Sequence, residues 1–481
     1  MQNLVTPDFQ TSNVITGLWQ IADMERDGRS LDLDEAARAL VPYVEAGFTT
    51  FDMADHYGSA EIIAGILHKK YLHKDSVQLL TKWVPTPGKL TKEQVRKAVQ
   101  TSLQRMQLDT LDLLQYHAWN YADPAWLDQL FWLQELQEEG LIKHLGLTNF
   151  DTAHLKMALD SGIKVVSNQV CFSLLDQRAQ RFMLDVCQQY GVQLLAFGTV
   201  AGGFLSEKWL GKPEPTQDKL ATWSQMKYKR FIDQAGSWEQ FQQLLSTLST
   251  IAQRHSLDMA NVASRYIMEQ RGVGGVIIGA RPSQSEHIQS NRRLFEFQLS
   301  QEEKTQIDAV LGLLNPIQGD CGDEYRKPPF LTASGDLSHH IASFPAPYAT
   351  KTGHDGRTHA LSGTIWEDIA GFSRAVKRGN NIVISGTTAT HGHRAIGGND
   401  PASQAHFIID KLEGALQSLG ATLEDVVRTR IFIRNIDDWE LIARAHGVRF
   451  ANIQPANTMV RADLIGDEYL VEMEAEAMIE P

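Results

Sequence analysis

The feature that most constrains the fold of this chain is a regular alternation of strand-like and helix-like runs from residue 13 to about residue 314. Eight such units predict a parallel sheet, and eight parallel strands can close into a (β/α)8 barrel of the TIM type. An open doubly wound sheet is the alternative, but it would need a glycine-rich turn after its first strand, and GLWQIAD is not one. The candidate strands are NVITGLW, FTTFDM, VQLLTKW, LDLLQYH, IKHLGLT, KVVSNQV, VQLLAFG and GGVIIGA.

The helical runs between these strands carry apolar residues at three- and four-residue spacing. They include LDEAARALVPYVEAG, KEQVRKAVQTSLQRMQ, PAWLDQLFWLQELQEEG and DTAHLKMALDSG. Pro42 inside the first of them predicts a kink or a helix restart, because proline cannot donate the hydrogen bond that continues a helix. The stretch from about 203 to 236 contains WLGKPEPTQDK, and its proline, glycine and charges predict a long loop.

Four polar residues lie at or just after the ends of three of these strands. Asp52 and Lys82 lie near the ends of FTTFDM and VQLLTKW, His117 ends LDLLQYH, and Tyr57 lies on the loop five residues after Asp52. In a parallel barrel the carboxyl ends of all strands meet at one face. We therefore expect the four side chains to converge there.

Together these side chains suit proton delivery to a carbonyl oxygen. A free tyrosine has a pKa of about 10, and a lysine ammonium beside the phenol stabilises the phenolate and is expected to lower that pKa. Asp52 would keep Lys82 placed and charged, and His117 would hydrogen-bond the substrate oxygen. Taken one at a time, the four residues also have ordinary structural interpretations. These are a helix cap for Asp52, a loop aromatic for Tyr57, a solvated charge for Lys82 and a core histidine for His117.

At these residues the sequence resembles the aldo-keto reductases, whose order of Asp, Tyr, Lys and His is matched by Asp52, Tyr57, Lys82 and His117. The resemblance implies hydride transfer between a nicotinamide and a carbonyl carbon, with Tyr57 as the acid. It also extends to the stretches GLTNF, NQV, LLAFG and IIGAR. It implies cofactor contacts at Trp19, Asp52, Thr148, Asn149, Gln169, Phe197, Gly198, Gly279, Ala280, Arg281, Ser285 and Asn291.

Two of these stretches depart from the family pattern. Gly198 and Thr199 replace the usual Ser-Pro after the aromatic Phe197, which is expected to stack on the nicotinamide. The spacing from Arg281 to Asn291 is longer than the family's. Arg281 or Ser285 could pair with a 2′-phosphate, since a guanidinium binds phosphate in a bidentate manner. This predicts NADP(H), with NAD(H) as the alternative.

Three tryptophans follow the ends of the first, third and fourth strands. We assign Trp19 to the cofactor side of the cleft, and Trp83 and Trp119 to the substrate side. Ordinary packing is the alternative for each of them. No metal site is predicted, because no cluster of ligands has metal spacing.

Composition excludes several other classes of protein. The 481 residues carry a formal net charge of -13, which argues against nucleic-acid partners and against binding to anionic membranes. The N-terminal segment has no signal-peptide pattern, and no apolar run is long enough to span a bilayer. Three widely spaced cysteines fit a reducing compartment, so we expect a cytoplasmic protein.

Beyond the barrel the sequence changes character. Residues 315–359 are rich in Pro, Gly and Asp and predict a linker. From residue 360 the order is a hairpin that turns at Gly379, a helix that begins at Pro401, the strand VVRTRIFIRN, the helix DWELIARAHGVRFA, and two further strands. In YLVEMEAEAMIE, alternate glutamates predict a half-buried strand.

This order and the PAN…VEMEA ending resemble the Rid family, the reactive intermediate deaminases, which have a chorismate-mutase-like α+β fold. The resemblance implies trimers with clefts between subunits, and it places Asn457 and Glu472 in the cleft. Deaminating members carry arginine where this chain has Asn457, and asparagine cannot supply a charged fork. Imine hydrolysis is therefore not expected, although Glu472 could position a water.

We interpret residues 1–314 as an aldo-keto reductase barrel, 315–359 as a linker and 360–481 as a Rid-like domain. The predicted function is NADP(H)-dependent reduction of an aldehyde or ketone, or oxidation of the alcohol, in a homo-oligomer that trimerises through the Rid domain. One alternative is an NADP-binding redox sensor with little turnover. The other is a Rid-type enamine or imine hydrolase with an ancillary barrel.

Overall fold

The computed structural model describes residues 2–6, 9–25, 28–73, 76–284, 287–332 and 344–480. A short antiparallel hairpin, β1 (Gln2–Thr6) and β2 (Phe9–Ser12), precedes the first large element. The next eight strands are parallel and close into a barrel in chain order, which confirms the predicted fold class. They are β3 (Val14–Gly17), β4 (Thr50–Asp52), β5 (Gln78–Trp83), β6 (Leu111–Tyr116), β7 (Ile142–Thr148), β8 (Ser167–Cys171), β9 (Gln193–Phe197) and β10 (Val273–Gly279).

Helices surround the barrel and cross between its strands. Their N-termini are set by local sequence: Thr91 and Ser237 each close a reciprocal capping box with a glutamine three residues on. They are α1 (Trp19–Met24), α2 (Leu33–Arg38), α3 (Val41–Glu45), α4 (Ala60–Ile66), α5 (Lys92–Met106), α6 (Ala125–Glu138), α7 (Thr152–Asp160), α8 (Met183–Tyr190), α9 (Trp223–Ala235), α10 (Trp238–His255), α11 (Met259–Met268), α12 (Ile288–Arg293), α13 (Gln301–Leu311) and α14 (Asp323–Arg326).

Two expectations about this region have different outcomes. Pro42 lies at the start of α3, so the first helical run restarts there as predicted. The prediction of a loop over 203–236 is wrong for its second half, where α9 forms. Thr222 caps α9 by accepting from the Gln225 backbone, and Tyr228, Phe231 and Ile232 are buried, so tertiary packing stabilises a helix that the flanking prolines obscure.

The stretch predicted as a linker contains ordered structure at both ends. Residues 315–332 return to the barrel, where Arg178 bonds to Glu324 with both side chains buried. Arg326 donates from its guanidinium to the backbone oxygens of Ala118 and Asn149. Further on, β11 (Ala349–Thr352) and β12 (Thr358–Leu361) pair with each other and extend the sheet of the second domain.

The second domain is a seven-stranded sheet with its long helices on one face. The strand order is β11-β12-β13-β14-β19-β17-β18, and β17 and β18 form its parallel pair. The remaining strands are β13 (Ala375–Arg378), β14 (Asn381–Thr388), β15 (Thr390–His391), β16 (Arg394–Ala395), β17 (Val426–Ile433), β18 (Ala456–Arg461) and β19 (Val471–Met478). The helices are α15 (Ile365–Ala370), α16 (Pro401–Ser418) and α17 (Trp439–Phe450).

The two domains pack closely through α7 and α16. A Cβ at Gly414 of α16 would lie 2.3 Å from the carbonyl oxygen of Ala122, and one at Gly398 would lie 2.5 Å from that of Asp160. Only glycine permits such contacts. His391 adds a bond of 2.8 Å from Nε2 to Asp128 in the barrel.

Cys171, Cys187 and Cys321 are unpaired and buried. Among the residues described above, no helix is both long enough and apolar enough to cross a bilayer. Within the same ranges, no group of three or more His, Cys, Asp or Glu side chains is arranged to hold a metal ion.

Candidate active site

A cavity of about 200 Å³ opens at the carboxyl ends of the barrel strands. Its lining contains all four predicted catalytic residues, and so the strand ends bring together what the sequence separates by 65 positions. Most of the predicted cofactor residues and one of the predicted substrate residues also line it. The predicted residues in its wall are Trp19, Asp52, Tyr57, Lys82, His117, Trp119, Thr148, Asn149, Gln169, Phe197, Gly198 and Gly279.

A buried ion pair forms the floor of this cavity. Lys82 Nζ lies 2.6 Å from Asp52 Oδ2 and donates to the carbonyl oxygen of Met53 at 2.7 Å. Burial lowers the pKa of Lys82, and the Asp52 carboxylate opposes that change by favouring the ammonium. A pair this deeply buried is stable only if the remaining lone pairs are also satisfied.

Two glutamines satisfy the other oxygen of Asp52. Gln115 Nε2 donates to Oδ1 at 3.0 Å, and Gln169 Nε2 donates to the same atom at 2.7 Å. Gln169 Nε2 also donates to Gln115 Oε1 at 2.9 Å. Gln115 lies on β6 and Gln169 on β8, and both side chains reach into the barrel to Asp52. The barrel strands therefore fix the orientation of the Asp52 carboxylate. Gln115 was not predicted from the sequence, although it lies on β6 only two residues before His117.

Tyr57 lies against the ion pair. The ammonium of Lys82 is 4.8 Å from the centroid of the Tyr57 ring, and Trp19 packs edge-on against the ring at 4.8 Å. Burial raises the pKa of Tyr57 well above its ordinary value, and the negative charge of Asp52 raises it further. This direction is opposite to the lowering expected from the sequence, because burial and the neighbouring carboxylate of Asp52 both disfavour the phenolate. Tyr57 is therefore a neutral O–H donor at neutral pH.

His117 is also neutral. Burial lowers its pKa well below the ordinary value, and the Arg326 guanidinium lowers it further. Nδ1 lies 3.3 Å from the carbonyl oxygen of Thr148, so a neutral ring that donates there carries its lone pair on Nε2. Nε2 is buried and has no hydrogen-bond partner among the described residues. Nothing in the sequence indicated that the ring would present an acceptor.

Polar side chains at the ends of β7 and β8 are suited to bind the carboxamide of a nicotinamide. Thr148 and Gln169 are register partners on β7 and β8, and Asn149 follows in a left-handed conformation with φ of 58°. Asn149 Oδ1 is buried without a partner in the described part of the chain, so it can accept from an amide N–H. The amide nitrogen of Gln169 is already engaged by Asp52 and Gln115. Phe197 ends β9 in the same wall.

Gly198 has a physical reason to replace the serine of the family. Its φ is 84°, and a Cβ there would lie 2.4 Å from the hydroxyl oxygen of Tyr228 on α9. The helix that was predicted as a loop therefore occupies the space that a side chain at this position would need.

The residues predicted to hold the adenosine phosphate lie outside the described cavity wall. Arg281 pairs with Asp23 and also donates to Gln20, while the Ala280 N–H donates to the Gly17 carbonyl oxygen. Asn291 is buried on α12. Ser285 lies outside the described residues.

The two tryptophans assigned to the substrate have different surroundings. Trp119 lines the cavity and packs edge-on against His117, with ring centroids 4.4 Å apart. Trp83 is buried against Tyr116 at 5.7 Å and is not part of the described cavity lining.

Lys227 and Tyr325 are among the cavity residues that the sequence did not predict. Lys227 on α9 donates to the hydroxyl of Tyr325 on α14 at 3.0 Å. Burial opposes the charge of Lys227, but its surroundings, Tyr325 first among them, raise its pKa above the ordinary value, so it is a cation at neutral pH. The Tyr325 ring packs against that of His117 with centroids 5.6 Å apart. Both residues lie in segments that were predicted as loop or linker.

The two residues predicted for the Rid cleft face opposite sides of its sheet. Asn457 is the register partner of buried Thr429 and donates to its hydroxyl at 2.9 Å, on the face that the helices cover. Glu472 is the register partner of Phe432, three positions along β17 and so on the other face. Burial raises the pKa of Glu472, and the neighbouring Glu474 raises it further.

Comparison with known proteins assigns a family to each of the two domains. The profile of the aldo/keto reductase family matches residues 13–311, and that of the endoribonuclease L-PSP family, which includes the Rid proteins, matches residues 365–479. The chain belongs to the aldo/keto reductase family and carries a Rid-family module after the barrel. Both resemblances seen in the sequence are confirmed.

Individual relatives cover the chain in parts. Protein tas of Escherichia coli K12 is 30% identical over 243 residues, which are 46% of this chain and 67% of that protein. An uncharacterized protein of Streptomyces coelicolor is 34% identical over 117 residues, 24% of this chain and 87% of its own length. The solved structure of a glycerol dehydrogenase from Gluconobacter oxydans is 22% identical, has a TM-score of 0.54, and covers 66% of this chain and 97% of that one.

Proposed function

We propose that the barrel is an NADP(H)-dependent oxidoreductase that reduces an aldehyde or ketone, or oxidises the corresponding alcohol. The observation that supports this function best is that a neutral phenol, Tyr57, lies against the buried Lys82–Asp52 pair in the wall of one cavity. When bound, the nicotinamide supplies or accepts the hydride. The protein supplies orientation and a proton.

Tyr57 is the proposed general acid of the reduction. Its raised pKa keeps the proton on the phenol at neutral pH until negative charge develops on the substrate oxygen. The phenolate that remains is then stabilised by the ammonium of Lys82, which Asp52 holds in place. In the oxidative direction the same phenolate accepts the proton of the alcohol.

His117 is the second proposed hydrogen-bond partner of the substrate oxygen, besides Tyr57. Because Nε2 presents a lone pair, it accepts a hydrogen bond from the hydroxyl of the alcohol. Tyr57 donates to the carbonyl oxygen before the proton transfer, and the hydroxyl formed by that transfer then donates to Nε2; in the oxidative direction the hydroxyl turns from Nε2 to the phenolate.

The choice of cofactor depends on the Arg281–Asp23 pair. We propose NADP(H), because the Arg281 guanidinium can bind a 2′-phosphate. Asp23, which contacts Arg281, can accept from a 2′-hydroxyl, and this is the observation that favours NAD(H) as the alternative. Initial rates with the two reduced cofactors at equal concentration discriminate between them.

The test of the function is oxidation of NADPH by wild type and by Tyr57→Phe over a panel of aldehydes. We expect the variant to lose turnover while it binds NADPH with unchanged affinity, measured by fluorescence titration. Tight binding without turnover in wild type would favour a redox sensor instead. Absence of NADPH binding would contradict the proposed site.

We propose that the Rid module does not hydrolyse imines. Asn457 provides no charged fork for a substrate carboxylate, and its amide is engaged by Thr429 on the helix-covered face. An assay of the whole chain with an amino-acid-derived imine is expected to show no hydrolysis above the uncatalysed rate. Hydrolysis that persists in Tyr57→Phe would instead assign activity to this module.

We propose that the chain assembles into a trimer through the open face of the Rid sheet. Apolar side chains on this face are exposed, among them Val383 at 56%, Val460 at 44% and Met478 at 54%. Exposed apolar groups on a sheet face are typical of an interface. Light scattering should give three times the mass of the chain, and Val383→Glu should give the monomer mass.

A further inference from the structure

The cavity contains a cation that the proposed proton transfer does not use. Lys227 lines the cavity and has no ion-pair partner among the described residues. Its neighbours are the hydroxyl of Tyr325 at 3.0 Å and the rings of Phe197 and Tyr325, with centroids at 4.7 Å and 4.9 Å. The buried carboxylate of Glu324 also favours its charge, but that carboxylate is itself paired with Arg178. An ammonium group carries three donors, and one hydroxyl satisfies one of them.

The charges of the cavity wall do not cancel. The Asp, Glu, Lys and Arg side chains in its lining are Asp52, Lys82 and Lys227. Of its two histidines, His117 is neutral because of its lowered pKa, and His56 bonds to Asp55. Asp52 and Lys82 neutralise each other at 2.6 Å. One positive charge is therefore left over, in a chain whose formal net charge is -13. A lone cation in a partly closed cavity attracts anions more strongly than one in water.

Tyr325 connects this cation to the place of proton transfer. Its hydroxyl accepts from Lys227, and its ring packs edge-on against His117 at 5.6 Å and Trp119 at 6.5 Å. A small molecule whose oxygen lies between Tyr57 and His117 can therefore extend along Tyr325 toward Lys227. The neighbouring helix fixes this arrangement, because Arg326 anchors α14 to the backbone of Ala118 and Asn149.

We propose that Lys227, together with the hydroxyl of Tyr325, binds an anionic group of the substrate, so that the enzyme acts on carbonyl compounds that carry a carboxylate or phosphate. This proposal rests on the proposed reductase function. The pyrophosphate of the cofactor is the competing anion. Lys227 also lies 4.7 Å from the centroid of Phe197 on the nicotinamide side. Its hydrogen bond, however, is to Tyr325, which packs on His117 and Trp119, and on that ground we place its ammonium toward the substrate.

A matched pair of aldehydes tests the proposal. para-Carboxybenzaldehyde and para-formylbenzamide have nearly the same shape and differ in charge. We expect wild type to prefer the carboxylate in kcat/KM, and Lys227→Met to lose on the order of 10- to 100-fold with the carboxylate and little with the amide. Tyr325→Phe, which keeps the cation, should lose less. Lys219→Met, at an exposed position, is the charge-matched control.

The outcomes separate the two proposals. Equal losses on both aldehydes in Lys227→Met, or a parallel loss of NADPH affinity, would overturn the substrate role of Lys227. Tyr57-dependent reduction of the two aldehydes at equal rates by wild type would also overturn it and leave the reductase intact. Failure of wild type to reduce these aldehydes and unsubstituted benzaldehyde, with NADPH bound, would contradict the reductase function itself.

Discussion

His154 in the barrel and Asp410 in the second domain are joined by a hydrogen bond of 2.8 Å from Nε2 to Oδ2, and both side chains are buried. The other ring nitrogen of His154 bonds to Asp151, so the imidazole lies between two carboxylates. Arg449 bonds to the second oxygen of Asp410. The charged ring therefore links the barrel to the Rid module, and the two should behave as one unit near neutral pH.

The first prediction concerns the pH dependence of this link. Burial disfavours the charge, but Asp151 and Asp410 outweigh it and raise the pKa of His154 from 6.5 to about 9. A raised pKa in the folded state gives stability that is fully present below the unfolded pKa of 6.5 and is lost as pH rises through 9. The melting temperature of wild type should therefore decrease as the pH is raised from 6.5 to 9.

Asp410→Asn tests the origin of this dependence. Removal of one partner of a buried charge pair should cost about 3–5 kcal/mol of unfolding free energy at neutral pH. The loss of stability on the alkaline side should also move to lower pH, because the carboxylate no longer raises the pKa of His154. Asp368→Asn removes one exposed charge in the same domain and is the control. An unchanged pH profile in Asp410→Asn would contradict the prediction.

The second prediction concerns the alkaline limb of activity. Lys82 must be charged to stabilise the phenolate; burial lowers its pKa and Asp52 opposes that effect. In Asp52→Asn the pKa of Lys82 should fall further, so activity should be lost at lower pH than in wild type. kcat should fall on the order of 100-fold. Profiles of kcat and of kcat/KM against pH measure the two effects.

Asp55→Asn is the matched control for this change. Asp55 also favours the charged form of Lys82, but it is the weakest of the causes. Its carboxylate bonds to His56 and to the backbone N–H of Val84, away from the ammonium. The alkaline limb should therefore move little. A shift as large as that of Asp52→Asn would show that the contact between Asp52 and Lys82 is not the cause.

The third prediction concerns Gly322, which begins the short helix that carries Tyr325. Its φ is 83°, and a Cβ there would lie 2.0 Å from the carbonyl oxygen of Asn149. Gly322→Ala should destabilise the protein by roughly 2–4 kcal/mol, from the left-handed conformation and the collision together. Thermal unfolding measures this loss.

Gly140→Ala separates the two causes. Its φ of 85° is nearly the same, but a Cβ there would have no neighbour within 4 Å, so only the conformational cost of about 1–2 kcal/mol applies. Equal losses in the two variants would show that α14 does not press on Asn149.

The positions of Asp52, Lys82 and His117 at the strand ends could be predicted because each is a polar residue at the end of an apolar run. The direction in which a strand side chain points can be predicted from the sequence, because successive side chains point to opposite faces of the sheet. Lys82 faces the barrel interior, so Trp83, the next residue, must face outward, and its assignment to the substrate ignored that parity. Asn457 and Glu472 face opposite sides of their sheet, because side chains alternate along a strand. Which side each one faces depends on how the strands pair, and the sequence does not display that pairing.

The residues that were missed depend on contacts distant in sequence. Lys227 and Tyr325 are 98 positions apart and meet only because α9 and α14 both return to the mouth of the barrel. Proline and glycine near each helix predicted loop or linker, since local propensity does not include tertiary packing. Likewise, the pKa of Tyr57 depends on burial, which the order of Asp, Tyr, Lys and His does not reveal.

The fourth prediction concerns the fit between Gly198 and Tyr228. In Gly198→Ala the new Cβ would lie 2.4 Å from the Tyr228 hydroxyl oxygen and 2.9 Å from Cζ, at a φ of 84°. We expect a loss of roughly 2–4 kcal/mol in the unfolding free energy and weaker NADPH binding, because the β9 end would move. Thermal unfolding and fluorescence titration with NADPH measure the two effects.

Tyr228→Phe, combined with Gly198→Ala in one chain, removes the atom nearest to the new Cβ and should restore part of the loss. The double-mutant cycle with Tyr228→Phe alone measures that coupling. Because the ring carbon Cζ is kept when tyrosine is replaced by phenylalanine, the rescue should be incomplete. Additive losses would show that the backbone conformation at Gly198, and not the contact with α9, decides which residue the position accepts.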